Sequence, residues 1–388
     1  MNRTRAVTGD HVLFNECIPM FRPEKIEILN DEKQNYAYLL LDFALTEPFQ
    51  FEYFIIEPTI EVHLHGAYKA FISKVSIPKW LDHNAHLFTI GLSAVLSFIT
   101  GRPTKAPRDG YFSNGEVLDQ HSISELAIQF PVLSAGPGNH GVHLASEVIS
   151  KFKENLHELL TLLYSIPYKQ YETIMQSIRL VQLAHLNKRE DFGLGYYLLV
   201  SAMEPIATTA IKRKRVVDSK QIKEEWKEIA KTDLQYKNLL DMYQQELSKN
   251  RYIGKRFVEY VMEYCPPNQW FDLDHPLENI KKYIDETSDH HQSGWITQKH
   301  WYETYPDDLN DNEIRTILTN VYDHRSKFTH EGKNPPHRSP YSYNRFFDKE
   351  SFVEEIEGDF RHVEIILPNF QLIAFIARRS ILNYLKKG

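Results

Sequence analysis

The sequence predicts an α+β fold: a strand-rich, mostly antiparallel N-terminal domain to about residue 145, followed by an all-α bundle over residues 146–388. Three observations carry that prediction. Before residue 145, short runs of β-branched and aromatic residues are separated by Pro and Gly. From Ala145 onward the apolar period lengthens from two to about 3.6 residues and stays there. The chain is 388 residues long with 42% apolar and 25% charged residues, so it can bury a substantial core in each part.

In chain order, strands are expected at 35–44, Phe49 to Ile56, Thr59 to Leu64, Ala67 to Ile77 and Glu125 to Leu133, with a buried helix from His86 to Ile99. The Pro- and Gly-marked stretch 101–115 reads as a long loop. Helices are then expected at Ser146 to Ile166, stopped by Pro167, and at Tyr168 to Leu186. Asp191 to Arg213 is almost wholly apolar up to Ala210, so it is buried on most sides, with Pro205 perturbing it just after Glu204. Asp218 to Ala230, Leu234 to Ser248 and Ile253 to Tyr264 continue the helical count, and Pro266-Pro267 interrupts it. Short elements around Trp270, Trp295 and Trp301 lead to a helix from Asp311 to about Glu331, started by a capping Asn or Asp and stopped by Gly332. A Pro-rich loop runs to Tyr343, and a last helix is expected from Leu367 to Lys387.

Composition excludes several classes of function. The net charge of -7 argues against bulk coating of nucleic acid, which rests on clustered Lys and Arg. Cys17 and Cys265 are far apart, so neither a disulfide framework nor a cysteine zinc site is implied, and a cytoplasmic home is the simplest expectation. No secretory signal is visible, and the longest uncharged apolar stretch, Leu87 to Gly101, is too short to span a bilayer, so no membrane partner is expected.

The stretch Val321-Tyr-Asp-His-Arg-Ser-Lys-Phe-Thr-His-Glu-Gly332 sets Arg325 and His330 five residues apart near the end of a helix. Arginine is a permanent cation whose planar fork suits phosphate oxygens, and histidine exchanges protons near neutral pH. Five helical residues rise about 7.5 Å and turn about 500 degrees, so the two side chains leave different faces of a regular helix. They converge only if the arginine reaches round and the helix is ending.

This run resembles the signature of the HEPN superfamily, whose active members carry an arginine and a histidine separated by four to six residues, and it is closest to the ApeA-like branch. The resemblance covers roughly residues 170 to 388. It implies an up-and-down helical bundle and a metal-independent endoribonuclease that needs no cofactor, with tRNA or phage RNA as substrate in an antiviral or abortive-infection system. It further implies Arg325 as phosphate clamp, His330 as general acid or base, and a homodimer in which two motif copies face one cleft. Glu204, on the buried helix containing Leu198-Leu-Val-Ser-Ala-Met-Glu-Pro-Ile206, is expected near Arg325. Ser326 stands where several active members have an amide or an acid. His324 and Lys327 flank the pair as further phosphate or proton-transfer groups. By fold analogy, the first 145 residues sense a phage-derived or nucleotide trigger or hold the nuclease off. The other readings of the same residues are a non-catalytic module that binds RNA or a nucleotide, and a bundle that only dimerises. Arg325 and His330 would then merely close a helix end and pair with Glu204.

Lys212-Arg213-Lys214-Arg215 is a candidate RNA-backbone contact, although cations at a helix C-terminus are also favoured by the dipole alone. The tryptophans suit core packing better than base stacking. Gly136-Pro-Gly-Asn-His-Gly141 matches a dinucleotide-binding string, but no second parallel strand follows, so it reads as a turn before a helix. His63 with His65, His83 with His86, and His140 with His143 have spacings that a metal tolerates without a supporting ligand set, so no metal is expected.

Overall fold

In the computed structural model of the chain, the described residues are 10–22, 34–63, 69–78, 84–108, 117–132, 143–216, 224–249, 252–274, 276–287, 303–337, 342, 344–356 and 359–387. Helix α1 (Asp10–Phe21) opens them, followed by β1 (Gln34–Leu41), β2 (Phe49–Gln50), β3 (Ile55–His63), β4 (Lys69–Pro78), α2 (Ala85–Thr100) and β5 (Thr104–Lys105). The strands form one antiparallel sheet in the order β2-β3-β4-β1-β5. Pro58 falls where the pairing of β3 with β4 shifts register between Ile56 and Thr59, so the break expected there is a bulge inside one strand.

One face of the sheet, through Leu39, Leu41 and Val75, shares a core with α1 and α2, and the other, through Tyr38, Leu40 and Ile72, packs on α3 (Gln120–Gln129). That segment corrects the strand expected at Glu125 to Leu133. Asp119 caps it by accepting from the Ser122 amide, and Ile123, Leu126 and Ala127 are buried at helical spacing. Helix α1 was not anticipated, because Pro19 lies within its stripe of Leu13, Phe14, Cys17, Ile18 and Phe21.

The helical part comprises α4 (Ser146–Ser165), α5 (Tyr168–Asn187), α6 (Phe192–Ala210), α7 (Glu224–Thr232), α8 (Leu234–Lys249), α9 (Ile253–Tyr264), α10 (Pro276–Thr287) and α11 (Asp311–Glu331). It is not all-α. A hairpin of β6 (Phe347–Ile356) and β7 (Asp359–Pro368) stands between α11 and the last helix, α12 (Phe370–Lys387). Charges crowd both strands and hide their alternation, and β7 takes the residues expected to begin the last helix. Helix α6 runs through Pro205 and stops at Ala210, so Arg213–Arg215 form a separate 3-10 turn.

One continuous core runs from Leu13 through α2, α5 and α6 to Leu385. α2 packs on α4 and α5, so the sheet layer and the bundle meet through buried helices rather than a linker. Among the described residues, no helix is long and apolar enough to cross a membrane.

Candidate functional site

Asn310 and Glu313 close a capping box at the start of α11, and Ile314, Ile317, Leu318 and Val321 bury its inner stripe. Arg325 and Phe328 follow Val321 at helical spacing, which carries the stripe on toward α6. Gly332 ends the helix in the left-handed region, at φ +66°, where glycine pays no Cβ penalty. Its amide bonds to the Phe328 carbonyl at 3.2 Å, and the Lys333 amide to that of Lys327 at 3.4 Å, so the last turn is helical through His330.

The Arg325 guanidinium meets the Glu204 carboxylate of α6 at 2.5 Å, and the two side chains are 17% and 16% exposed. Tyr322, one turn earlier, donates to the other Glu204 oxygen at 3.0 Å. Burial, with the Glu204 charge beside it, pushes the Tyr322 phenol up to about 12, so it remains a donor across the physiological range. The guanidinium also lies over the rings of Tyr197 and Tyr322, at 5.4 and 5.9 Å. Tyr197 in turn stacks on Phe328 at 5.1 Å. Glycines allow these approaches: a Cβ at Gly254 of α9 would lie 2.9 Å from the Tyr322 ring, and one at Gly193 would collide with Asn334. The Arg325 Nε is buried without a partner.

His330 and Lys327 are exposed on the last turn, and Ser326 is half-buried. His330 lies nine residues past Val321, about 180 degrees round the helix from the buried stripe, whereas Arg325 is about 40 degrees from it. The structure therefore brings Glu204, Tyr322 and Arg325 together and leaves His330 on another face of α11. Among the described residues no hydrogen bond or ion pair joins Arg325 to His330. His324 is half-buried, and burial, aided by the Lys327 charge, lowers its pKa and keeps it neutral.

The basic turn lies apart from this network. Arg213 sits 5.6 Å over the Tyr252 ring, and Arg215 pairs with Glu263 at 2.8 Å, while Lys212 and Lys214 are exposed. Tyr252 touches the basic turn and Gly254 the Arg325 network, so the first turn of α9 stands between them. Trp270 is a core residue whose indole donates to the Cys265 carbonyl at 2.8 Å. Trp295, Trp301 and the string Gly136–Gly141 lie outside the described residues, as do His65, His83 and His140. No group of three or more His, Cys, Asp or Glu that could hold a metal occurs among the described residues.

The chain matches no family model, no curated protein and no solved structure. Two residues of the network escaped sequence reasoning in their present roles. Tyr322 reads as an apolar anchor, yet its hydroxyl binds Glu204. Tyr197 was passed over, although it precedes Glu204 by seven residues and so shares its helix face.

Proposed function

We propose that the protein is an endoribonuclease of HEPN type that cleaves RNA without a metal ion, in a cleft formed by two copies of the chain. The observation that supports this reading is the held arginine. Glu204, Tyr197 and Tyr322 fix the Arg325 guanidinium beside α11, and the next turn of that helix presents His330 to solvent. An oriented cation stabilises charge on phosphorus, and an exposed imidazole can exchange a proton with substrate. In the reaction, a base takes the 2′-hydroxyl proton and the 2′ oxygen attacks phosphorus. The bond to the 5′ oxygen breaks, and an acid protonates that oxygen. Within one copy Arg325 and His330 leave α11 from different faces. A second copy supplies the missing group, with His330 of one chain acting across from Arg325 of its mate. Lys212 and Lys214 are free to contact the RNA backbone farther along. A defence role against phage, with the sheet layer as sensor, follows from the resemblance alone.

Purified protein incubated with total RNA in EDTA tests the reading. Cleavage by the wild type, lost in both Arg325→Ala and His330→Ala, is expected. Equal inertness of all three would remove the nuclease. The engagement of Arg325 by Glu204 favours a second reading, a non-catalytic module that binds RNA. A gel shift of single-stranded RNA without cleavage would select it.

A further inference from the structure

The helical hairpin of α7 and α8 stands apart from the core. The two helices pack on each other, with Trp226 edge-on to Tyr243 at 5.8 Å and Leu240 buried, yet no described residue of either joins the continuous core. Two ion pairs of α7, Lys227 with Glu224 and Lys231 with Glu228, both at 2.6 Å, lie within the helix itself. In the chain the hairpin falls between Val216 and Tyr252. It therefore roots beside the first turn of α9, the turn that sets Gly254 against the Tyr322 ring.

α8 is apolar on two sides, and α7 covers one of them. At about 100 degrees per residue, Tyr236, Leu240 and Tyr243 share an arc of about 60 degrees, the side that meets Trp226. Leu234, Gln235, Asn238, Leu239 and Met242 share a separate arc of about 140 degrees. Its three apolar members, Leu234, Met242 and Leu239, are 72%, 67% and 64% exposed. A helix with apolar residues round most of its circumference is normally an inner member of a bundle. Within residues 234–245 the only charges are Lys237 and Asp241, and both fall outside the exposed arc. The exposed side is thus an apolar stripe bordered by amides and free of charge.

We propose that this stripe docks a second copy of the chain, with α8 antiparallel to α8 of its mate, so that two hairpins close a four-helix bundle around both α8 helices. Across a two-fold axis a surface meets itself, so like charges on it repel, and an uncharged stripe accepts its own copy. An axis passing between Leu239 and Met242 sets each of these residues against the other type on the mate. Charge disfavours other occupants. Residues 224–245 carry five acids and three lysines, which repels nucleic acid and an anionic bilayer, and the stripe offers an acidic or basic peptide nothing to pair with. The root beside α9 is continuous with the side of the bundle where the proposed RNA cleft requires a second copy. Association through the arm does not rest on the nuclease reading, and it is measured by mass rather than by cleavage.

Sedimentation equilibrium of the full chain tests the proposal. The wild type is expected to be dimeric at micromolar concentration. Leu239→Glu, a change at an exposed position, should weaken association about a hundredfold while a cooperative unfolding transition is retained. Leu239→Lys alone should behave likewise. An equimolar mixture of the two variants should recover the dimer, because opposite charges then face each other across the axis. A local disturbance of α8 would not be repaired by mixing. A monomeric wild type, whether the stripe then covers another part of its own chain or takes another molecule, overturns the proposal. So do variants that associate as tightly as the wild type, since the copies then meet elsewhere, and variants that stay apart when mixed.

Discussion

At the scale of single residues, Glu204 is the hinge of the account, because both of its oxygens are committed. Tyr322→Phe removes one bond and keeps the ring that fills the space beside Gly254. It is expected to destabilise the chain by about 1.5–3 kcal/mol in urea denaturation, the usual worth of a bond to a charged group. Arg325→Ala leaves the mostly buried Glu204 carboxylate without its cation, and a loss of about 3 kcal/mol is expected. Arg325→Lys is therefore a necessary companion in activity measurements: it keeps the charge and removes the fork.

His337 gives a pH dependence. Its side chain packs against Phe192 and Tyr196, at 5.1 and 5.0 Å, and burial lowers its pKa from 6.5 to about 4. The folded state therefore holds His337 neutral where the unfolded chain protonates it. Stability is complete above about pH 6.5 and falls toward pH 4, by about 3 kcal/mol for this group. Urea midpoints measured from pH 7 to pH 4.5 should decline, and more shallowly in His337→Phe. His185 and His324 are lowered in the same direction, so the slope is reduced rather than abolished.

Among the elements, α11 matters most, and both of its ends are specified locally. Asn310→Ala should cost about 1 kcal/mol by opening the capping box. Gly193→Ala drives a Cβ to 1.9 Å from the Asn334 side chain, just beyond His330. It should loosen that segment, seen as faster amide exchange at residues 330–334 with little change in the first turns of α11. An unchanged exchange pattern would mean that Asn334 does not hold the segment. Legibility followed the same local logic. α11 was readable end to end because its cap, apolar stripe and stop all lie within the helix itself. α3 and the β6–β7 hairpin were not: the Asp119 cap lies upstream of the apolar run that suggested a strand, and charges interrupt the alternation of both hairpin strands. At the site, Arg325 and His330 stood out by residue type. The Tyr197 and Tyr322 contacts depend on how α6, α9 and α11 pack, and no local spacing encodes that.

At the scale of the whole molecule, the sheet layer and the bundle share a core through α2, α4 and α5. A fragment beginning at residue 146 would expose the apolar faces of α4 and α5, so it should aggregate or melt without cooperativity, while the full chain unfolds in one transition. A fragment that melts cooperatively at the full-length midpoint would show that the two parts are energetically separate.

Whether Arg325 and His330 serve one RNA site is tested most directly by mixing two inactive variants. In a two-fold dimer, copies of Arg325→Ala and His330→Ala brought together should recover about a quarter of wild-type RNA cleavage, because half of the dimers are mixed and each mixed dimer keeps one intact pair. A mixture as inert as its components would contradict a cleft shared between copies.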